Sequence, residues 1–440
     1  MNILGNKIKK IRKEMGLTQS ELAGDKISRS QLSLIENGYT NPSLSTLEYI
    51  ASKLNKPYSY FLDDNEDTND KYIILIDEIE SLFLSSLYED VVDKAMRVIT
   101  YFNSENFTDP QLLGKTHALL GLSYFKLQDE RAYKTLKCAL SYFIAQNTGI
   151  SEYLIKVSNC IATICYNNKQ FEEMEQTLLT VDSLILDINL DNIKYKIDVM
   201  YNISLSLFSQ DKISQAEEVI YRALHYAKEY SVFHNFGELN MLLSLCYKSH
   251  KKYIDAINSI NKSIEYFSLI GDEAYIHRCY INLGILLRYE AKYEKALYYL
   301  NKSMNYFRNS QYTLKYNNCL AEIIKTTFLL NKERIDMEQL RHVIDLNQDD
   351  KKNFSELLII LGIIYLRRGN IDKALEVLKE SECYFEPSVD AEFKPYLYYS
   401  LSIAFSMLGQ IDDAIKYLLK HSENINLFTE PIKYFVNNIQ

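Results

Sequence analysis

The 440-residue sequence contains no tryptophan and few of the residues that interrupt helices, with only 13 glycines and six prolines. Because long helices leave little room for turns, this scarcity indicates helices joined by short connections. No hydrophobic run approaches the length of a membrane-spanning helix. The basic N-terminus has no continuous apolar core, so the sequence predicts neither a membrane span nor a signal peptide.

The seven cysteines form no C-x-x-C pair and have no histidine-rich partner cluster. They are odd in number and lie in apolar stretches, which indicates buried free thiols in a cytosolic chain. No phosphate-binding glycine loop, metal-spaced cluster or nucleophile motif is present. We therefore predict no catalytic residue, no metal site and no cofactor, and we expect a cytoplasmic protein that is not an enzyme.

Charge is divided unevenly along the chain. Residues 1–62 contain nine Lys or Arg and five Asp or Glu, a net charge of +4, whereas the whole chain carries −9. The remaining residues thus carry −13. Because a basic surface attracts a phosphate backbone and an acidic one repels it, only the first 62 residues are expected to touch DNA.

The apolar pattern of residues 1–62 predicts four short helices and a fifth that opens at Pro57. Ile3, Ile8, Ile11 and Met15 share one face of the first helix. The other face carries five basic side chains, which are Lys7, Lys9, Lys10, Arg12 and Lys13. The expected start and stop residues of the helices are Gly16, Thr18 with Glu21 as its capping-box partner, Ser28, Gly38 and either Ser43 or Ser45.

The segment LTQSELAGDKISRSQLSLIENG resembles the helix-turn-helix DNA-binding domain of phage repressors and Xre proteins over nearly all of the first sixty residues. In that fold the third helix enters the major groove with its N-terminal residues against the bases. Leu32 and Ile35 are expected to pack inward. The resemblance implies DNA contacts by Gln19, Ser28, Arg29, Ser30, Gln31, Ser33 and Leu34. The alternative is the same fold used for protein contact.

Residues 63–70, DDNEDTND, are acidic and contain no apolar residue, so we expect a linker there. From residue 71 to 440 a small residue recurs at steps close to forty, at Ala95, Ala132, Ala216, Ala256, Ala296, Ala374 and Ala414, with weaker copies at Met174 and near 336. Around Ala296, Leu283 and Gly284 come thirteen and twelve residues earlier and Leu300 four later, and other repeats keep this frame.

The frame resembles tetratricopeptide repeats with lengthened helices. We therefore predict an all-α protein in which an N-terminal helix-turn-helix domain (1–62) and the linker precede a right-handed α-solenoid of about nine helical hairpins (71–440) with a concave inner wall.

Asparagine recurs on the first helices of the repeats, and Asn202 and Asn282 each lie fourteen residues before the small residue of their repeat. An amide offers a donor and an acceptor together, so it can hold the backbone of an extended peptide. The candidate peptide contacts are Asn159, Asn202, Glu238, Asn240, Arg278, Asn282 and Asn318, with Lys156 beside them. Because asparagine is abundant throughout the chain, chance recurrence is the alternative.

Domain order, length, a short helix-turn-helix turn and forty-residue repeats resemble the RRNPP-type peptide-sensing regulators, nearest in build to NprR and PlcR. The resemblance implies a quorum-sensing transcription regulator, a homodimer or higher oligomer, in which an imported peptide binds the groove and changes dimer geometry and affinity for a DNA operator. The alternative is a docking regulator whose repeats bind a signalling protein such as a response regulator, with or without peptide control.

Overall fold

A computed structural model of the protein describes residues 3–56, 58, 61, 68–104, 107–146, 151–185, 192–331, 335–384 and 392–425. These residues form 22 α-helices, and none of them lies in a β-strand. The predicted fifth helix opening at Pro57 and residues 63–67 of the predicted linker lie outside the described residues. Thr68 to Asp70, which we assigned to the linker, instead open a helix.

The chain forms two compact units, residues 1–234 and 235–440. In the first unit the helices are α1 (Ile3–Glu14), α2 (Gln19–Ala23), α3 (Arg29–Glu36), α4 (Leu44–Lys53), α5 (Thr68–Leu84), α6 (Tyr88–Ser104), α7 (Pro110–Lys126), α8 (Ala132–Gln146), α9 (Glu152–Asn167), α10 (Phe171–Leu184), α11 (Ile193–Ser209) and α12 (Ile213–Glu229). The helices α1 to α4 enclose a small core of their own around Ile8, Leu22, Leu32 and Ile50.

In the second unit the helices are α13 (Phe236–Ser249), α14 (Tyr253–Ile270), α15 (Glu273–Tyr289), α16 (Tyr293–Phe307), α17 (Thr313–Leu330), α18 (Met337–Leu346), α19 (Lys351–Arg367), α20 (Ile371–Glu382), α21 (Lys394–Met407) and α22 (Ile411–Ile425). Consecutive helices from α5 onward pair as hairpins, four in the first unit and five in the second, among the residues described. This confirms the predicted number of about nine.

The recurring small residue lies on the second helix of its hairpin and is buried at each alanine position and at Met174, the least at Ala414 with 7% exposure. The weak copy predicted near 336 falls on Asp336, which is exposed and caps α18. The glycine of the first helix faces the leucine that follows this position. A Cβ atom built on Gly284 would lie 2.6 Å from Leu300 Cγ, and one on Gly362 would lie 2.5 Å from Leu378 Cγ. The two helices therefore approach closely because one of them lacks a side chain where the other inserts a leucine.

A second recurring contact in the second unit was not predicted. Seven residues after the small residue, a side chain hydrogen-bonds to a carbonyl of the first helix. The pairs are Ser263 Oγ to Gly237 O (2.7 Å), Ser303 Oγ to His277 O (2.9 Å), Ser381 Oγ to Ser355 O (3.0 Å) and His421 Nδ1 to Pro395 O (2.9 Å). Each pair spans the same 26 residues, so the bond fixes the register of the hairpin.

We predict that Gly284→Val lowers the free energy of unfolding of the second unit by about 1–3 kcal/mol, because the added methyl groups overlap Leu300 and overpack the seam. Thermal unfolding followed by circular dichroism measures the loss. Asn301→Val is the matched control, since Asn301 is exposed on the neighbouring helix and its side chain bonds Leu297 O of its own helix. An equal loss in both variants would contradict the close approach at Gly284.

Candidate functional site

Helix α3 is held with one face in the core and the other in solvent. Leu32 and Ile35 are 0% and 1% exposed, as predicted, so the helix packs along that line. Ser28 caps its start, because Ser28 Oγ accepts a hydrogen bond from the Gln31 amide at 3.0 Å. The predicted DNA contacts Ser28, Arg29, Ser30, Gln31 and Leu34 are exposed, and Ser33 and Gln19 are half-buried.

Capping residues mark where α2, α3 and α4 begin or end. Thr18 and Glu21 form the predicted capping box, in which each side chain bonds the backbone amide of the other residue. Gly24 ends α2 at φ +55°, a conformation that a residue with a side chain rarely adopts. Gly38 follows α3 at φ +79°, and Ser43, not Ser45, caps α4.

A buried ion pair joins α1 to the end of α3. The guanidinium of Arg12 contacts both carboxylate oxygens of Glu36, Nε to Oε1 at 2.5 Å and Nη2 to Oε2 at 2.9 Å. Arg12 Nη1 also donates to Leu17 O at 2.8 Å, and Gln19 Nε2 donates to Glu36 Oε2 at 2.8 Å. Burial alone would raise the pKa of Glu36, but the hydrogen bonds from Arg12 and Gln19 bring that pKa below its ordinary value.

The structure corrects two sequence-based predictions about the first helix. Arg12, assigned to the solvated basic face of α1, is only 7% exposed. Met15, assigned to the buried face, is 41% exposed, because α1 ends at Glu14 and Met15 follows the last helical turn. Gln19 remains at the start of α2, but its amide nitrogen is engaged with Glu36.

A shallow concavity of about 340 Å³ lies beside the N-terminal half of α3. Its lining consists of Ser28, Ser30, Gln31, Leu34, Ile35, Thr40, Asn41, Pro42, Ser43 and Thr46. Of the residues from Thr40 onward, the sequence singled out only Ser43, as a helix cap, because no apolar period or charge marks the others. They extend the exposed polar surface of α3 toward the start of α4.

In the first unit, the two predicted asparagines lie side by side. Asn202 Nδ2 on α11 donates to Asn159 Oδ1 on α9 at 2.8 Å, and both side chains are half-buried. Lys156, one turn before Asn159, pairs with Glu152 on its own helix at 2.8 Å. The structure therefore brings together two amides from successive hairpins, whereas Lys156 carries an ordinary surface ion pair.

In the second unit, Arg278 stacks between aromatic rings. Its guanidinium carbon lies 4.7 Å from the ring centre of Tyr275 and 5.6 Å from that of Tyr312. Its Nε is buried and has no hydrogen-bond acceptor among the described residues. Burial raises the pKa of Tyr275, and the negative charge of Glu238 adds to this effect, so Glu238 is electrostatically close. Burial also lowers the pKa of Lys315, and the positive charge of Arg278 lowers it further.

The other predicted asparagines of the second unit differ in their surroundings. Asn282 is half-buried, and no hydrogen bond of its side chain is found within the described residues. Asn318 Oδ1 accepts from Asn353 Nδ2 at 3.2 Å. Asn240 is only 2% exposed, and its Nδ2 donates to Phe236 O of its own helix at 2.8 Å. Asn240 is therefore buried and bonded within its own helix, which disfavours it as a peptide contact.

Sequence comparison covers the N-terminal residues. The helix-turn-helix family matches residues 8–61. These residues form a helix-turn-helix domain. Over 52 residues the chain is 54% identical to the immunity repressor protein of Bacillus phage phi105. This match includes 12% of the chain and 36% of the phage protein, so the chain spans about a third of the length of that curated relative. The predicted resemblance of the domain to phage repressors is confirmed.

Structural comparison covers most of the chain. The apo form of RapI superposes with a TM-score of 0.56 at 14% sequence identity, covering 87% of this chain and 97% of RapI. A Rap protein complexed with Competence and Sporulation Factor gives a TM-score of 0.52 at 11% identity, covering 82% and 99%. At these identities the likeness shows the fold. The chain thus resembles these two Rap structures in fold and carries a helix-turn-helix domain at its N-terminus.

The seven cysteines are all free, as predicted, but they are not all buried. Cys165, Cys246, Cys279 and Cys319 are buried, Cys138 and Cys160 half-buried, and Cys383 exposed at the end of α20. Burial raises the pKa of Cys279 to about 11 and that of Cys319 to about 12, which disfavours the reactive thiolate. None of the described helices is long and apolar enough to cross a membrane.

We predict that Glu36→Gln unfolds the helix-turn-helix domain more readily at neutral pH, by about 3 kcal/mol or more, because Arg12 is left buried without its counter-charge. The pKa of Glu36 is lower in the folded than in the unfolded chain, so the ion pair stabilises fully above the unfolded value of about 4.5. Its contribution is lost as the pH falls through the folded pKa.

Hydrogen exchange of the α3 amides in wild type and variant, compared at each pH, measures the difference. We expect it to shrink below about pH 4.5, where protonated Glu36 resembles glutamine. A difference that stays constant down to acid pH would show that the carboxylate charge does not stabilise the domain.

Proposed function

We propose that the protein is a transcription regulator that binds a DNA operator through α3 and a short peptide through its helical repeats. The observation that carries the proposal is the exposed face of α3 within a confirmed helix-turn-helix domain. The first 62 residues carry a net charge of +4 and the remainder −13, which supports the same division of labour.

DNA binding is argued from the chemistry of α3. Arg29 is exposed in its first turn and can reach guanine with two parallel N–H donors, the commonest base-specific contact. Leu34, 44% exposed, offers only an apolar contact suited to a thymine methyl group. Ser28 and Ser43 at the starts of α3 and α4 flank the concavity, where helix N-termini attract phosphate. One domain covers about half an operator, so we propose a homodimer on two half-sites.

Peptide binding is argued first from the amide pair in the first unit. The hydrogen bond between Asn202 and Asn159 uses one donor and one acceptor of the pair. Asn202 Oδ1 can still accept, and the Asn159 amide nitrogen can still donate. These are the two groups that the backbone of an extended peptide requires, and they would hold it whatever its side chains.

The second unit carries charges that suit the ends or side chains of a peptide bound within that unit. The Nε of Arg278 has no hydrogen-bond acceptor among the described residues, and its guanidinium group suits a carboxylate. Glu238, on the preceding hairpin, suits an ammonium group. Asn282 and Asn318 stay in the proposed contact set, and Asn240 leaves it.

Regulation requires that the peptide bind one arrangement of the protein better than another. A ligand with equal affinity for both arrangements shifts nothing, and a shift from a hundredfold excess of one to the same excess of the other takes about 5.5 kcal/mol. We propose that the peptide provides this difference by ordering the first helices of the repeats, and that the dimer transmits it to the two α3 helices.

We predict that Arg29→Ala weakens binding to a selected operator by about 1–3 kcal/mol, because a bidentate base contact is lost, and leaves binding to random duplex nearly unchanged. Operators are selected from a random-sequence library with the full-length protein, and affinities are measured by fluorescence anisotropy at fixed salt. Arg97→Ala, an exposed arginine on α6, is the control and should change neither. Equal loss on both duplexes would make Arg29 a phosphate contact.

We predict that Asn202→Ala together with Asn159→Ala weakens peptide binding about ten- to a hundredfold, since each lost amide contact contributes roughly 1 kcal/mol. The probes are short synthetic peptides, taken from any reading frame beside the gene that encodes a secreted pre-peptide, and they are titrated by calorimetry. Asn240→Ala removes an amide that is bonded within its own helix and should leave affinity unchanged. If wild type binds a probe and the double variant binds it equally well, the amide pair is not part of the site.

A further inference from the structure

The second unit contains a cluster of buried charged side chains that was not predicted from the sequence. The cluster consists of Arg288 on α15, Glu322 and Lys325 on α17, Glu356 on α19 and Glu392 just before α21. All five residues are buried, with exposures between 1% and 9%. Four of them lie on the first helices of three hairpins, and Glu392 leads into the first helix of a fourth.

The inner part of the cluster is held by several ion pairs, although Glu356 Oε1 has no hydrogen-bond partner among the described residues. Lys325 pairs with Glu322 on its own helix and with Glu356 at 2.7 Å, and its Nζ also donates to Asn353 Oδ1 at 2.8 Å. Against the effect of burial, Arg288 and Lys325 hold the pKa of Glu322 at about 2. Glu322 is therefore bound as a carboxylate by two cations, and this part ties α17 to α19.

The outer part joins helices that are far apart in the repeat order. Arg288 Nη1 donates to Glu322 Oε2 at 2.5 Å, and Arg288 Nη2 lies 2.8 Å from Glu392 Oε2. The hairpins that start with α17 and α19 separate α15 from α21 along the chain. The contact between Arg288 and Glu392 thus bridges two intervening hairpins, on the side formed by the first helices.

Glu392 is the least stabilised carboxylate of the group. Burial raises its pKa above the ordinary value, and Arg288 offsets this only in part because Glu356 and Glu322 add negative charge nearby. The 2.8 Å contact with Arg288 is its one ion pair among the described residues. By contrast, Glu322 faces both Arg288 and Lys325.

We infer that Arg288 and Glu392 form a releasable strap that holds α15 to the start of α21, and that the second unit has an open state in which this contact is broken. When Glu392 is released, Arg288 stays paired with Glu322, and Lys325 stays paired with Glu322 and Glu356. Two cations then face two carboxylates, so the charges of these four residues balance. The remainder of the cluster keeps its partners, and opening does not require unfolding.

The strap also bears on the proposed function. Arg288 lies on the same helix as Arg278 and Asn282, so we propose that a peptide reaching these two residues binds the open state. The apparent affinity for the peptide is then reduced by the fraction of molecules that are open. This last step rests on the proposed peptide binding, whereas the strap itself does not.

The test is Glu392→Gln in the full-length protein, which keeps the size of the side chain and removes its charge. Hydrogen exchange resolved by mass spectrometry should be about tenfold or more faster in the C-terminal turns of α15 and the N-terminal turns of α21, the effect of losing a charge-assisted contact. Exchange in α17, which keeps its partners, should be unchanged.

Glu382→Gln is the matched control. Glu382 pairs with Lys420 and Tyr417, each at 2.8 Å, and thereby joins α20 only to the next hairpin. This variant should accelerate exchange in α20 and α22 and leave α15 unaffected. Unchanged exchange in α15 and α21 of Glu392→Gln would overturn the strap. Equal acceleration throughout the second unit would also overturn it, since the pair would then be part of the general core.

A separate measurement connects the strap to ligand entry. A synthetic peptide that binds wild type should associate faster with Glu392→Gln, by the factor by which the open state has become more populated. Faster exchange without faster association would keep the strap and remove its role in ligand entry. No binding of any probe to wild type would contradict the proposed function and leave the exchange result intact.

Discussion

A helical hairpin cannot bury its apolar face alone, and the repeat region depends on this constraint. Each hairpin from α5 onward has to stack on a neighbour. The recurring small residue and the facing leucine decide how closely the two helices approach, as Ala296, Gly284 and Leu300 show. Once this seam is set, the side of each first helix away from it is available for other chemistry. The asparagine pair of the first unit and the ionic cluster of the second unit both occupy first helices.

The hydrogen bonds from Ser263, Ser303 and Ser381 follow from the same constraint. A close approach of two helices excludes water from a carbonyl that can still accept a second hydrogen bond. A serine at the matched position of the partner helix satisfies it without adding bulk. In the last hairpin, where α22 packs on α21, His421 fills the same place with a larger ring. The seam therefore tolerates different residues provided that the donor is retained.

Two of the buried ion pairs, Arg12 with Glu36 and Arg288 with Glu392, differ in how completely their side chains are hydrogen-bonded. Arg12 and Glu36 are both nearly inaccessible to solvent, and Arg12 donates two hydrogen bonds to the Glu36 carboxylate. The pair therefore fixes α1 against α3. Gly5 permits this approach, because a Cβ there would lie 2.3 Å from Ile35 O. A buried pair with complete partners is costly to break from one side. Arg288 and Glu392 approach to 2.8 Å, but Glu392 Oε2 has no hydrogen-bond partner among the described residues, which makes their contact the weaker of the two.

Much of the fold could be predicted because it follows from periodic apolar residues. Leu32 and Ile35 marked the buried face of α3, and the steps from Ala216 to Ala256 and Ala296 marked successive hairpins. The ion pairs were not predictable, because a charged residue in an amphipathic pattern normally indicates solvent, and nothing in the local sequence tells Arg12 from Lys9. Partners such as Arg288 and Glu392 lie 104 positions apart in the sequence, and only the fold brings them together.

The asparagines show how far a position in the repeat determines a role. Asn202 lies fourteen residues before Ala216, whereas Asn240 lies sixteen before Ala256. Two residues of an α-helix correspond to about 200° of rotation, so these side chains point to nearly opposite faces. Asn240 accordingly turns back onto Phe236 O, and Asn202 reaches Asn159 on the neighbouring hairpin. The residue type alone suggested a ligand contact at both positions, but the rotational phase around the helix separates a structural amide from one that can meet a peptide.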